Sequence, residues 1–206
     1  MATNYSLKVK HDGTDYGDFC IYQTNDGQSE DIRSLVWFKK SAFPDTLLKF
    51  DWEIDYSFVW SEKGILTPGV VFEASQNLPT NPSDIGKNAV GFTKDRGAYV
   101  FTPPTSTVSQ GKMGIDCDAT IPANSASIGI GMSGKAAYAC VASPNLKYTF
   151  MPHPRYWIAF GKFEAGEVID LNMMTKKHEI VFGLNEYEKI LQLKQDNTWA
   201  EISLVK

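Results

Sequence analysis

The chain has 206 residues, 43% of them hydrophobic and 13% aromatic, enough for one substantial core, so a single domain over residues 1–206 is the expectation. Twenty lysines and arginines against 24 acidic residues give a formal charge of −4, and with it no electrostatic reason to expect a nucleic-acid partner. No apolar run approaches the roughly 20 residues of a membrane span, and residues 1–6 lack the basic and apolar regions of a secretory leader. These features point to a cytoplasmic chain, with secretion by another route left open. Cys20, Cys117 and Cys140 are odd in number and far apart, which argues against a disulfide framework and for a reducing compartment. Neither they nor His11, His153 and His178 show metal-ligand spacing, so no cofactor is expected.

In chain order, Tyr5, Leu7 and Val9 alternate with Ser6, Lys8 and Lys10, the period-two pattern of a half-buried strand, before a turn at Asp12-Gly13. Residues 31–40 read either way: Ile32, Leu35 and Val36 sit at helical intervals, while Val36-Trp37-Phe38 favours a strand. The strongest signal follows. Phe50, Trp52, Ile54, Tyr56, Phe58 and Trp60 occupy every even position, which predicts one extended strand of about 35 Å with an aromatic core face. Residues 75–88, with two prolines and few apolar side chains, read as a long surface loop, a kind of segment that often carries function. Met113, Ile115, Cys117, Ala119 and Ile121 line another strand. Ile128, Ile130 and Met132 form a glycine-rich strand, and Tyr138 and Cys140 continue the pattern. Tyr156, Ile158 and Phe160 mark a further strand, and residues 190–194 and 199–205 flank Asp196-Asn197, a composition suited to a tight hairpin. Pro44, Pro68-Gly69, Pro103-Pro104, Pro122 and Pro144 punctuate these runs, and roughly a dozen strands result.

Three groups of residues carry candidate chemistry. Asp51, Glu53 and Asp55 share one strand face, and Asp116 and Asp118 share another. Like charges in a row must be answered, either by lysines and arginines on neighbouring strands or, if the two strands adjoin, by a cation or sugar ligand. Carboxyl pairs ~5–10 Å apart also suit glycosidic hydrolysis. The second group is Pro152-His153-Pro154-Arg155-Tyr156-Trp157, a stiff lead-in that presents His153 beside Arg155 and Trp157 as a platform for a planar or sugar ligand. The plainer reading is a fixed loop whose aromatics join the core. Trp157 is out of phase with Tyr156, Ile158 and Phe160, which places it on the opposite surface. Third, Gly129, Gly131 and Gly134 have dinucleotide-motif spacing, yet they lie inside a strand pattern, where a bulge or a close backbone approach is the expected role. Ser133 fails the nucleophile-elbow pattern because its second glycine comes one residue too early.

Several segments together resemble the rhizosphere-induced protein RhiA family. They are Leu35-Val36-Trp37-Phe38-Lys39, residues 50–61, Pro68-Gly69-Val70 with Phe72-Glu73-Ala74-Ser75-Gln76, Thr120-Ile121-Pro122, residues 128–134, and Pro152-His153-Pro154 with Tyr156-Trp157-Ile158. The likeness runs over most of the chain. It implies a soluble bacterial protein tied to life around plant roots or to cell-density-controlled expression, and it brings no reaction and no catalytic residues. The expected fold is an all-β, single-domain antiparallel sandwich with little helix, a jelly roll being one topology that fits. The expected function is non-catalytic interaction or binding of a glycan, a small hydrophobic ligand or a host surface. Two alternatives stand beside it: a structural protein that self-associates through edge strands, and a jelly-roll glycoside hydrolase using the carboxylates of residues 50–61.

Overall fold

The computed structural model describes residues 3–25, 29 and 31–202. Among them there is no helix, and the fold is all-β. The first strands are β1 (Asn4–His11), β2 (Gly17–Thr24), β3 (Arg33–Ser34), β4 (Phe38–Ala42), β5 (Thr46–Glu53) and β6 (Tyr56–Ser61). The middle of the chain forms β7 (Gln76–Thr80), β8 (Ala89–Asp95), β9 (Ala98–Phe101), β10 (Met113–Cys117), β11 (Ser127–Met132) and β12 (Lys135–Val141). Then come β13 (Lys147–Phe150), β14 (Arg155–Gly161), β15 (Lys177–Ile180), β16 (Glu188–Leu193) and β17 (Trp199–Glu201).

These strands form four sheets that pack as two sandwiches, each around its own apolar cluster. Sheets β17-β16-β1-β5 and β15-β14-β2-β4 enclose Leu7, Phe19, Ile21, Phe50, Trp52, Ile158 and Leu191. Sheets β13-β10-β8-β9 and β3-β12-β11-β6-β7 enclose Phe58, Phe92, Met113, Ile115, Ile128 and Phe150. Most neighbours are antiparallel, but β1 pairs with β16 and β8 with β10 in parallel. Two smaller clusters cover the outer faces: Leu35, Val59, Phe72 and Val168 on one sandwich, and Cys20, Tyr22, Val36 and Ile169 on the other. Strands such as β2 and β11 are therefore buried on both sides, and their sequences run apolar without a polar face.

After a brief visit to the second sandwich at the edge strand β3, the chain passes from the first sandwich into the second between β5 and β6, which corrects the reading of residues 50–60 as one strand. Phe50 and Trp52 enter the first core, Phe58 and Trp60 enter the second, and Ile54-Asp55 interrupts the ladder between them. It returns through residues 151–154, which join β13 to β14. Residues 31–40 are extended, not helical, and residues 75–88 begin with β7 before a turn. The C-terminal hairpin forms as read, with Asn197 at φ 62° and Asp196 Oδ1 accepting the Thr198 N–H at 3.0 Å. The end of its second run, residues 203–205, lies outside the described residues.

Gly129 serves the close approach its sequence context implied: a Cβ there would sit 1.9 Å from the Tyr138 carbonyl oxygen across the ladder. The register shifts between Ile130 and Gly131, and Ser133 and Gly134, at φ 52° and 72°, form the hairpin turn. The outer edge of β5 is plugged by side chains. Ser133 Oγ accepts the Glu53 N–H at 3.2 Å, and Lys40 Nζ donates to the Lys49 carbonyl at 2.6 Å. At the other end of β1, His11 is fully buried against the rings of Phe19 and Phe160. Its Nδ1 accepts the Gly13 N–H at 3.3 Å, so the ring proton sits on Nε2, which donates to the Asp15 carbonyl at 2.9 Å. Lys189 on β16 is the buried ammonium, paired with Glu186 at 3.4 Å and with Glu201.

Candidate functional site

The fold separates the two carboxylate groups read from sequence. Asp51 and Glu53 stand on the outer face of β5, whereas Asp116 lies on β10, in a sheet of the other sandwich, and Asp118 follows it in a turn. The condition for their convergence, adjoining strands, is not met, because β5 and β10 lie in different sheets. Each carboxylate except Glu53 has a local role. Asp51 pairs with Lys49 at 2.8 Å, and that hydrogen bond holds its pKa below the ordinary carboxylate value. Asp55 Oδ1 accepts the Ser133 N–H at 2.6 Å at the crossing between sandwiches, and Asp116 pairs with Lys147 at 3.0 Å. Asp118 accepts the Thr120 hydroxyl and, at 2.8 Å, its N–H, which lowers its pKa. Among the described residues no group of three or more His, Cys, Asp and Glu side chains is placed to hold a metal ion.

The second predicted group is assembled on and beside β14. Arg155 makes a two-pronged ion pair with Glu179, both contacts at 2.7 Å, and its guanidinium lies 5.4 Å from the Trp157 ring. Lys177 Nζ stands 5.7 Å from the same ring. Trp157 does occupy the face opposite Ile158: half-buried, it stacks on Tyr22 at 6.3 Å and 12°, and its indole N–H donates to Thr24 Oγ1 at 2.9 Å. His153 is exposed in the return crossing, two residues before Arg155. The indole thus buttresses its neighbours and leaves only part of its surface to solvent.

What it buttresses is the cleft that sequence reading missed. Thr24, Asn25, Ile32, Arg33, Ser34, Pro68, Tyr138, Ile169 and Asp170 are among the residues that line a depression of about 550 Å³, within the usual range for a small-molecule site. Thr24 ends β2 and Arg33 lies on the short edge strand β3, while Tyr138 comes from β12 and Asp170 from the segment after Val168, whose bridge to Leu35 pins that wall. The Asn25 side-chain amide bonds the Met151 carbonyl, tying the return crossing to the rim. Arg33 is exposed and makes no ion pair with any described residue, whereas Asp170 accepts the Asn172 N–H at 3.0 Å. Tyr138 is 7% exposed, and its hydroxyl has no hydrogen-bond partner among the described residues. Burial, with the nearby phenols of Tyr156 and Tyr56, pushes its pKa far up, so it is a neutral hydrogen-bonding group. These residues are scattered over nearly 150 positions, each in an ordinary local context, so nothing in the sequence signals that they share a site.

The sequence model of the RhiA family matches residues 2–202. Protein RhiA of Rhizobium leguminosarum bv. viciae is 36% identical over 202 residues, spanning 97% of this chain and 86% of that protein. This chain belongs to the RhiA family. No solved structure matches it. For a RhiA-family chain, the cleft offers a cation at Arg33, a carboxylate at Asp170, a side-chain amide at Asn25, and walls from Ile32, Pro68, Tyr138 and Ile169. Such a lining orients a polar ligand by hydrogen bonds and leaves its apolar faces packed. The three thiols lie elsewhere, all buried, with Cys117 pushed up to about 12 by desolvation, so they are protonated and poor nucleophiles.

Proposed function

We propose that this RhiA-family chain is a non-catalytic binding protein whose ligand is a hydroxyl-bearing small molecule of the glycan class, taken up in the cleft between Thr24, Arg33, Tyr138 and Asp170. The observation that carries this reading is the mixed lining of the 550 Å³ cleft, in which a guanidinium with no ion pair among the described residues and a carboxylate flank apolar side chains. Opposite charges beside apolar walls suit a ligand with many hydroxyls and a few apolar C–H faces better than a purely hydrophobic one. The dispersal of the carboxylates supports binding over hydrolysis, since no pair of them faces a common space across a sheet. The plugged edge of β5 counts against assembly through that strand.

The test is thermal unfolding of the purified protein over a panel of soluble glycans, with calcium and small aromatic compounds as further arms. A ligand present at 100 times its dissociation constant adds about 2.7 kcal/mol of stability. We expect a rise with one glycan class that Arg33→Ala and Asp170→Asn each abolish while the unliganded melting temperature stays unchanged. A flat panel, or a rise that both variants retain, would sink the assignment of the cleft.

A further inference from the structure

The return crossing roofs a second, interior space at the seam of the two sandwiches. Gln23, Tyr56, Met132, Tyr138, Phe150 and Met151 are among its walls, drawn from both cores, and Pro152 and Pro154 close it. Its lining is apolar apart from the amide of Gln23 and the hydroxyls of Tyr56 and Tyr138. Gln23 is 1% exposed and its Nε2 has no partner among the described residues, and the same holds for the hydroxyl of Tyr138. Two buried polar atoms without partners in one closed space call for an explanation, because leaving either dry costs more than a hydrogen bond returns net.

We propose that this chamber is a built site for one water molecule, hydrogen-bonded to Gln23 Nε2 and to the Tyr138 hydroxyl. Size selects the occupant. The chamber leaves about 10 Å³ free to the centre of a water-sized sphere, close to what a single water needs and too little for an organic ligand. Chemistry agrees: water accepts from the Gln23 amide, which is donor-only at Nε2, and uses its remaining capacity on the phenol, which donates or accepts. Two protein bonds stand at the lower end of the usual two to four for a buried water. The chamber shares Tyr138 with the open cleft, while its other walls, among them Met151, Pro152 and Pro154 of the return crossing, do not line that cleft.

A high-resolution crystal structure and water-to-protein cross-relaxation NMR test this directly. The expected result is one spherical density peak within hydrogen-bonding distance of both atoms, with the Gln23 side-chain amide protons showing the cross-relaxation sign of a long-lived bound water. Gln23→Leu should remove the peak. Tyr138→Phe and Gln23→Leu should each lower the melting temperature, and the double variant should lower it by less than the sum, because the second loss has no water left to strand. Wild-type density without a peak, and no long-lived water signal at Gln23, would overturn the proposal, as would density too large for one water. Strict additivity of the two substitutions would also count against it.

Discussion

Gly129→Ala isolates a steric argument, because the glycine's own backbone conformation does not require glycine. The added Cβ would lie 1.9 Å from the Tyr138 carbonyl oxygen and 2.9 Å from Ala139 Cα, both backbone atoms that no rotamer change can move aside. An ordinary contact begins at 3.4 Å, so β11 and β12 must separate locally by about 1.5 Å. That motion strains the ladder pairs on either side, Ile128 with Cys140 and Ile130 with Tyr138, and opens packing on both faces of a sheet buried between two clusters. Two weakened hydrogen bonds at ~1 kcal/mol each plus an overpacking cost of ~1–3 kcal/mol give a loss of about 4 kcal/mol. At ~2–4 °C per kcal/mol for a chain of this size, the melting temperature should fall by about 12 °C. Gly69→Ala is the control: at φ 88° and with nothing within 4 Å, it meets backbone strain alone and should cost ~1 kcal/mol. Urea unfolding of both variants measures the difference. If Gly129→Ala loses no more than Gly69→Ala, the close-approach reasoning is wrong.

Other outcomes follow from the same structure. None of Cys20, Cys117 and Cys140 should react with a thiol reagent in the native protein at mildly alkaline pH, and all three should react in denaturant; rapid native labelling would contradict their burial. Lys189 is subject to desolvation, but its hydrogen bond to Glu201 and the charges of Glu201 and Glu186 outweigh that effect and raise its pKa above 10.5. The pairing therefore stabilises fully below pH 10.5 and fades as pH climbs through the raised folded value, so wild type should lose stability in that alkaline window and Lys189→Met should lose less. His11→Ala removes a buried ring and its bonds to Gly13 and Asp15, and should cost about 2–4 kcal/mol in denaturant unfolding, with faster amide exchange in residues 12–16.

Alternation made the all-β class legible, and it also concealed the main architectural event. Ile54-Asp55 is two residues long, so the even-position phase of Phe50 and Trp52 continues unbroken into Phe58 and Trp60 although the strands serve different cores. An interruption of odd length would have flipped the phase and revealed itself. The outward placement of Trp157 was readable because its neighbours define a phase, whereas its hydrogen bond to Thr24, 133 positions away, was not. The cleft stayed hidden for the same reason. Arg33 and Asp170 line one cleft because residues 34–36 pair with residues 167–169, and Tyr138 read as one more core position of a strand. The parallel pairs were equally out of reach, since periodicity gives a strand its faces and says nothing of its direction.

One of those pairs bears on how the molecule comes to be made. Leu7 of β1 lies beside Lys189 of β16, 182 positions later, while the other flank of β1 is covered by β5 within some 50 residues. At ~5–20 residues per second of synthesis, the β1–β5 pair waits roughly 7–28 s for its third strand. Through that interval Leu7 and Val9, wholly buried in the finished fold, lack the layer that β16 completes. Expression at lowered temperature, or with a chaperone that shields nascent apolar strands, should therefore raise the soluble yield more than any change to the mature surface.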